Sequence, residues 1–182
     1  MGHMPQKLDF ITPTTLKILY IFHEKPQQEL HEREVMRKAE TSKGSAGRIL
    51  KQLSQMGVLE KEKKGRMIFY KLDMRNAVAR QFKVLFNVYS LNELVDEIKQ
   101  HSRKIILFGS CSEGTDTEES DVDLFILTNE KDQIQSKVSS YQKAERRIAP
   151  VIVNSNEFAE LKRKDRPLYD RILKGISLWE IE

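Results

Sequence analysis

A single cysteine, Cys111, in a chain of 182 residues rules out an internal disulfide and suits a reducing compartment. Long apolar runs are missing too, since none approaches the ~20 residues that a membrane span needs. No signal peptide is visible at the start, so the expectation is a cytoplasmic protein with no membrane partner. The histidines His3, His23, His31 and His101 lack zinc-ligand spacing, and His31-Glu32 lacks the second histidine of a metalloprotease helix. Nor does a Gly/Ser-rich linker divide the chain. What is present is 39% hydrophobic and 32% charged residues. That is the balance of a soluble globular protein, in a length that accommodates one medium domain or two small ones.

Charge is unevenly spread. Met1–Asp73 holds 14 Lys/Arg against 9 Asp/Glu, a balance of +5, and the remainder holds 17 against 18, a balance of −1. A basic binding module joined to a near-neutral one is the implied organisation. Met1-Gly2-His3-Met4 (residues 1–4) reads as a cloning scar ahead of a native Met4 and is set aside.

Thr12-Pro13-Thr14-Thr15 opens a helix with Pro13 at its first position, and Leu16, Ile18, Leu19 and Phe22 give it an apolar face. His31–Glu40 predicts a short helix offering Val35, Met36 and Ala39 to the core. Thr41-Ser42 can cap a third helix, in which Ala46, Ile49, Leu50, Leu53 and Met56 recur at helical spacing and Gly57 is the stop. Val58–Lys61 and Met67–Leu72 alternate like strands around a basic tip, Lys63-Lys64-Gly65-Arg66.

Three helices and a hairpin in that order resemble a winged helix-turn-helix domain, over residues 5–73. The resemblance implies double-stranded DNA as a partner. Ser42, Lys43, Ser45, Arg48 and Lys51 on the third helix would face the major groove, and Lys63, Lys64 and Arg66 on the wing would meet phosphates or the minor groove. The alternative is a solvated basic face on a protein-interaction module. Gly44 and Gly47, each unfavourable by about 1 kcal/mol relative to Ala inside a helix, suggest close backbone approach to DNA or to the second helix.

Residues 74–102 read as a helical connector. Val78, Phe82, Leu85, Phe86 and Tyr89 mark one side of a helix over Asn76–Val88. Ser90-Leu91-Asn92-Glu93 matches a capping box before a second helix that turns Leu91, Leu94, Val95 and Ile98 inward. Phe82, Phe86 and Tyr89 form a core face or, alternatively, a homodimer interface.

In residues 103–182, Lys104-Ile105-Ile106-Leu107-Phe108 is a buried strand, followed by a Gly109-Ser110 turn and a loop carrying Asp116, Glu118 and Glu119. Asp121 and Asp123 then stand at i and i+2, sharing a face if the segment is a strand. The arrangement suits a hard cation and a phosphate. A P-loop is excluded because Thr115-Asp116 stands where Lys-Ser/Thr is needed, and a calcium loop because no glycine takes its turn position. An acidic surface loop is the plainer alternative, with Cys111 a passive member. Downstream lie a helix over Glu130–Lys143, a strand over Ile148–Val153 and a Ser155-capped helix over Glu157–Lys162. A helix over Pro167–Leu173 closed by Gly175 and an extended Ile176–Glu180 complete a small mixed-sheet α/β module, making the whole chain α+β.

Phe108-Gly109-Ser110, an interval of ten residues, and Ser120-Asp121-Val122-Asp123-Leu124 resemble the signature of the minimal nucleotidyltransferases of the DNA polymerase beta superfamily, with likeness from Lys104 to about Trp179. The resemblance implies transfer of a nucleoside monophosphate from a nucleoside triphosphate (NTP) to a hydroxyl. Asp121 and Asp123 would hold one or two Mg²⁺ ions, Gly109 would let the backbone approach a phosphate, and Ser110 would donate to the β/γ-phosphates. Active members usually add a third carboxylate on a later strand. Aligning Arg147–Val153 by its apolar run puts Ala149 in that place, between Glu145 before the strand and Glu157 after it, and Pro150 predicts that this strand lies at an edge. Without that acid the best candidate base for the acceptor is lost. Two functions therefore stay open: a DNA-binding nucleotidyltransferase, or a transcriptional regulator whose second domain senses nucleotide or pairs subunits. A component of a toxin–antitoxin pair is a third, on resemblance alone.

Overall fold

The computed structural model describes residues 10–141 and 146–181. The suspected scar at residues 1–4, and Glu145, lie outside the described residues. The chain divides into two compact units, Met1–Phe82 and Lys83–Glu182.

In the first unit, α1 (Pro13–Glu24) starts where Thr12 accepts a hydrogen bond from the Thr15 N–H at 3.2 Å. A two-residue strand, β1 (Leu30–His31), precedes α2 (Glu32–Lys38) and α3 (Lys43–Gln55), and a hairpin of β2 (Leu59–Lys64) and β3 (Met67–Leu72) follows. The strands form an antiparallel sheet in the order β1-β3-β2. β1 is too short to show any alternation, so periodicity could not reveal it. It also shifts the expected second helix, because His31 becomes its cap: His31 Nδ1 accepts from the Arg33 and Glu34 N–H groups, and Glu34 Oε2 accepts from the His31 N–H. Gly57, at φ +72°, ends α3, since that conformation costs a glycine nothing. Ile18, Phe22, Val35, Ala46, Leu50, Leu53 and Val58 are fully buried, while residues 61–68 of the hairpin stand exposed as a wing.

The boundary between units falls inside α4 (Ala77–Ser90). Phe10 meets the buried Phe82 edge to face, ring centroids 6.4 Å apart. The aromatic stripe expected on this helix is split: Phe82 and Phe86 are buried and Tyr89 is 70% exposed. The expected Ser90 capping box is not formed. Ser90 Oγ instead donates to the Asn87 carbonyl at 2.9 Å, prolonging α4, and α5 (Asn92–Ile98) begins after Leu91 with no side-chain cap.

The second unit contains β4 (Lys104–Phe108), α6 (Ser110–Glu113), β5 (Val122–Leu127), α7 (Lys131–Tyr141), β6 (Ile148–Val153), α8 (Ser155–Lys164), α9 (Arg166–Leu173) and β7 (Ile176–Glu180). The sheet order is β6-β5-β4-β7. β4 is antiparallel to both β5 and β7, and β5 is parallel to β6. Both faces are covered, so the strands read as unbroken apolar runs. Ile105, Leu107, Leu124 and Ile126 pack with Leu94 and Ile98 of α5 and Ile134 and Val138 of α7. Ile106, Phe108 and Phe125 pack with Ile172 of α9 and Phe158 and Leu161 of α8. Pro150 lies on the edge strand β6, as its missing donor requires. Asn154 caps α8 rather than Ser155, exchanging backbone bonds reciprocally with Glu157. Among the described residues no helix is long and apolar enough to cross a membrane.

Candidate functional site

β4 ends at Phe108 and the backbone turns at Gly109 with φ +68°. A Cβ there would overlap Asp123 Oδ2 and lie 3.2 Å from Arg171 Nη2, so only glycine fits between the turn and these two side chains. Ser110 opens α6 and Ser112 Oγ donates to the Gly109 carbonyl at 2.8 Å. Phe108 pairs with Asp123, which fixes that carboxylate beside the turn. Asp121 differs from the expectation of two acids on one strand. β5 begins only at Val122, because β4 has already turned away at Gly109, and Asp121 is exposed ahead of it.

In the strand register Asp123 stands beside Ala149 of β6, the position the apolar alignment gave it. In place of a further carboxylate, Asp123 meets Arg171, whose Nη2 donates to Oδ2 at 3.1 Å while the guanidinium lies 5.5 Å from the Phe108 ring centroid. Burial lifts the Asp123 carboxyl above its ordinary pKa, the Arg171 charge pulls it back, and Asp121 adds to the lift. Among the described residues no group of three or more His, Cys, Asp or Glu side chains could hold a metal. Mg²⁺ takes one or two carboxylates and completes its shell with waters and substrate phosphates, so an ion at Asp121 and Asp123 would have to displace Arg171 from Asp123.

The loop acids separate. Glu118 and Glu119 are exposed, but Asp116 is 1% exposed and is therefore not available to a cation from solution. Lys83 Nζ and Arg146 Nη2 donate to its Oδ2 at 3.0 and 2.7 Å, and Asn87 Nδ2 donates to its Oδ1 at 2.9 Å. Asn87 Nδ2 also reaches the Cys111 carbonyl, and Arg146 the Thr117 carbonyl. Burial alone would raise the Asp116 pKa, yet Lys83, Asn87 and Arg146 outweigh it and hold the carboxyl below its ordinary value. Cys111 is buried and its thiol is pushed up to about 11, chiefly by burial, which leaves it no nucleophile at neutral pH. Sequence reading missed this cluster. The available signal was Lys83 and Asn87, four residues apart and next to Phe82 and Phe86 on the inward side of a helix.

In the first unit, Gly44, Arg48, Lys51 and Gln55 are exposed at helical spacing, opposite the buried Ala46, Ile49, Leu50 and Leu53. Lys43 is exposed at the flank and Ser45 is half-buried. The Ser42 hydroxyl accepts from the Ser45 N–H at 3.2 Å and so serves as the helix cap. Gly47 faces the Glu32 side chain of α2 at 3.4 Å, whereas Gly44 faces open space. Gln52 and Gln55 are exposed here too, polar positions that a count of basic residues does not single out.

On the wing, Lys61 pairs with Tyr70 and Lys63 with Ile68, so both lysines share the face that holds buried Leu59, Tyr70 and Leu72. Lys64 lies on the opposite face, ion-paired to Glu29 and, at 3.5 Å, to Glu62. Lys63 and Lys64 therefore do not act from one face, and Lys61, which the sequence reading passed over, joins Lys63. Arg66 stands exposed at the tip after Gly65.

A three-helix unit with a wing, followed by a four-stranded mixed sheet with a Gly-Ser turn against a strand aspartate, defines a winged helix joined to a nucleotidyltransferase-type domain. Residues 90–176 match the family model described as a nucleotidyltransferase domain. No curated protein matches the chain in sequence. Among solved structures it is similar to NadR in complex with 4-hydroxyphenylacetate, at 22% identity and TM-score 0.38 over 50% of this chain and 62% of that one. The chain thus spans less than two thirds of NadR. It is also similar to a cysteine-to-serine mutant of Lactococcus lactis ZitR in complex with DNA, at 14% identity and TM-score 0.38 over 55% of this chain and 67% of that one. TrmBL2, an archaeal chromatin protein, aligns at 14% identity and TM-score 0.33 over 91% of this chain and 73% of that one. The winged-helix assignment rests on the first unit's own element order and register.

Proposed function

We propose that this chain is a cytoplasmic DNA-binding regulator whose nucleotidyltransferase-type domain binds a nucleotide and does not transfer it. The observation that carries the reading is Ala149 in register beside Asp123. The resemblance expects a carboxylate there to hold the catalytic metal and activate the acceptor hydroxyl, and a methyl group does neither. Glu157, the nearest acid after β6, accepts from the Asn154 N–H at the start of α8 and pairs with Lys131. Gly109 and Ser110 still offer backbone and hydroxyl to a phosphate. For DNA, the outward stripe of α3 suits the major groove, with Lys43, Arg48 and Lys51 as its bases and Ser42 and Ser45 at its start. Lys61, Lys63 and Arg66 suit phosphates beside it, and Lys64 belongs to the wing's other face. Leu85 and Tyr89, exposed on α4, are where a second copy would pair.

Mg²⁺-dependent transfer of a nucleoside monophosphate is the second reading. The Gly109-Ser110 turn against Asp123, with Asp121 close by, favours it, and it requires Arg171 to leave Asp123. Incubation with Mg²⁺, α-labelled NTPs and DNA, RNA and protein acceptors should give no label transfer. Transfer by the wild type that Asp121→Ala/Asp123→Ala loses would establish the enzyme instead. DNA binding is tested by anisotropy across a salt series. Removing Arg48, Lys51 or Lys63 should each reduce the log–log salt slope by about 0.9 if that residue meets a phosphate, and Lys64→Ala should leave it unchanged. A wild type with no salt-sensitive duplex binding would sink the DNA reading.

A further inference from the structure

Arg171 is a feature of the site that the motif does not explain. It sits in the last turn of α9, next to Ile172, which is fully buried in the core, so the helix that carries it is fixed against the sheet. Its side chain is 57% exposed, its guanidinium packs over Phe108, and Nη2 bonds to Asp123 at 3.1 Å. The same Nη2 would lie 3.2 Å from a Cβ on Gly109, so the guanidinium rests against bare backbone at the mouth of the Gly109-Ser110 turn. A guanidinium carries five N–H donors, and among the described residues Arg171 spends hydrogen bonds on Asp123 alone.

The geometry points to Arg171 as a built-in cation that receives a nucleotide phosphate at the Gly109-Ser110 turn, so that binding needs no divalent ion. The inference rests on the nucleotide-binding reading and deepens it. A Mg²⁺ ion on Asp123 would have to displace Arg171 and then face its positive charge across a few ångströms. A phosphate instead meets a cation already in place: the guanidinium fork matches its oxygens, the side chain is open to solvent, and Asp123 is the anion the phosphate has to displace. Asp123 then orients the guanidinium and partly competes with the ligand for it.

Calorimetric titration of the full chain with ATP, GTP and inorganic tripolyphosphate, in EDTA and in Mg²⁺, tests this. Wild type should bind ATP or GTP in EDTA, with tripolyphosphate competing for the same seat. Arg171→Ala should weaken that binding by about tenfold or more, the loss of a charge-assisted hydrogen bond, and Arg171→Lys should fall between, keeping charge without the fork. Asp123→Asn should tighten binding, since the competing anion is gone. Unchanged melting curves for these exposed-site variants exclude misfolding as the cause. Binding that requires Mg²⁺, is abolished by Asp123→Asn and is indifferent to Arg171→Ala would overturn the assignment while leaving nucleotide binding intact. Failure of tripolyphosphate to compete would also overturn it. A wild type that binds neither nucleotide in either buffer would sink the nucleotide reading and this inference together.

Discussion

Asp116 and Asp123 lie seven residues apart and receive opposite treatment. Asp116 is sealed from water with Lys83, Arg146 and Asn87 all donating to it. Asp123 is partly exposed and, among the described residues, is paired with Arg171, which is itself mostly in solvent. Their pKa values move in opposite directions, Asp116 down and Asp123 up. Full pairing inside the protein marks a group committed to holding the fold, whereas partial pairing at an open edge leaves a group free to exchange partners with a ligand.

The largest way to break this contrast is Asp116→Asn. It strands Lys83 and Arg146 without their anion, and removing one side of a buried ion pair costs about 3–5 kcal/mol. Urea unfolding should show that loss, and a cost near zero would mean the cluster holds nothing. Acid titration gives the sign. The folded pKa of Asp116 lies below its unfolded value, so its stabilisation is present above the unfolded pKa and is lost as pH falls through the folded one. Wild type should therefore lose stability across that acidic window, and Asp116→Asn should lose less there. Cys111 reports the same event locally: buried with its thiol at about 11, it should resist alkylation at neutral pH in wild type and react faster in the variant.

Gly109→Ala acts on the other side of the comparison and is expected to cost less. A positive φ strains any residue with a Cβ by about 1–3 kcal/mol, and here the added atom overlaps Asp123 Oδ2. Because Asp123 and the half-exposed Arg171 can shift, part of the overlap relaxes. The strain should appear in urea unfolding together with weakened nucleotide binding. A variant as stable as wild type would mean that the turn is not held in the observed conformation.

The difference between the two aspartates also explains what the sequence made legible. Strands buried on both faces, such as Ile105–Phe108 and Leu124–Ile126, announce themselves as apolar runs, and the Gly109-Ser110 turn and Asp123 follow from local spacing. Even Ala149 was readable, because β6 aligns with β5 by its apolar run alone. The partners of these acids were not readable. Lys83 lies 33 residues before Asp116 and Arg171 lies 48 after Asp123, and no local period links residues so far apart. Lys64 looked equivalent to Lys63 because both were read as hairpin tip; strand pairing carries through both and places Lys64 on the other face of the wing, against Glu29.

The smallest expected effect completes the comparison. Asp123→Asn removes an ion pair whose cation is 57% exposed, and pairs of that kind contribute about 0–1 kcal/mol because water screens them and the long side chain loses freedom in forming them. The amide keeps a carbonyl oxygen that can still accept from Arg171, and no buried charge is left alone. Urea unfolding of Asp123→Asn should therefore differ from wild type by less than about 1 kcal/mol, several-fold less than Asp116→Asn. Comparable losses in the two variants would mean that Asp123, too, is part of the scaffold. A ligand could then take Arg171 only by loosening the sheet, and the turn at Gly109 would no longer be an open seat.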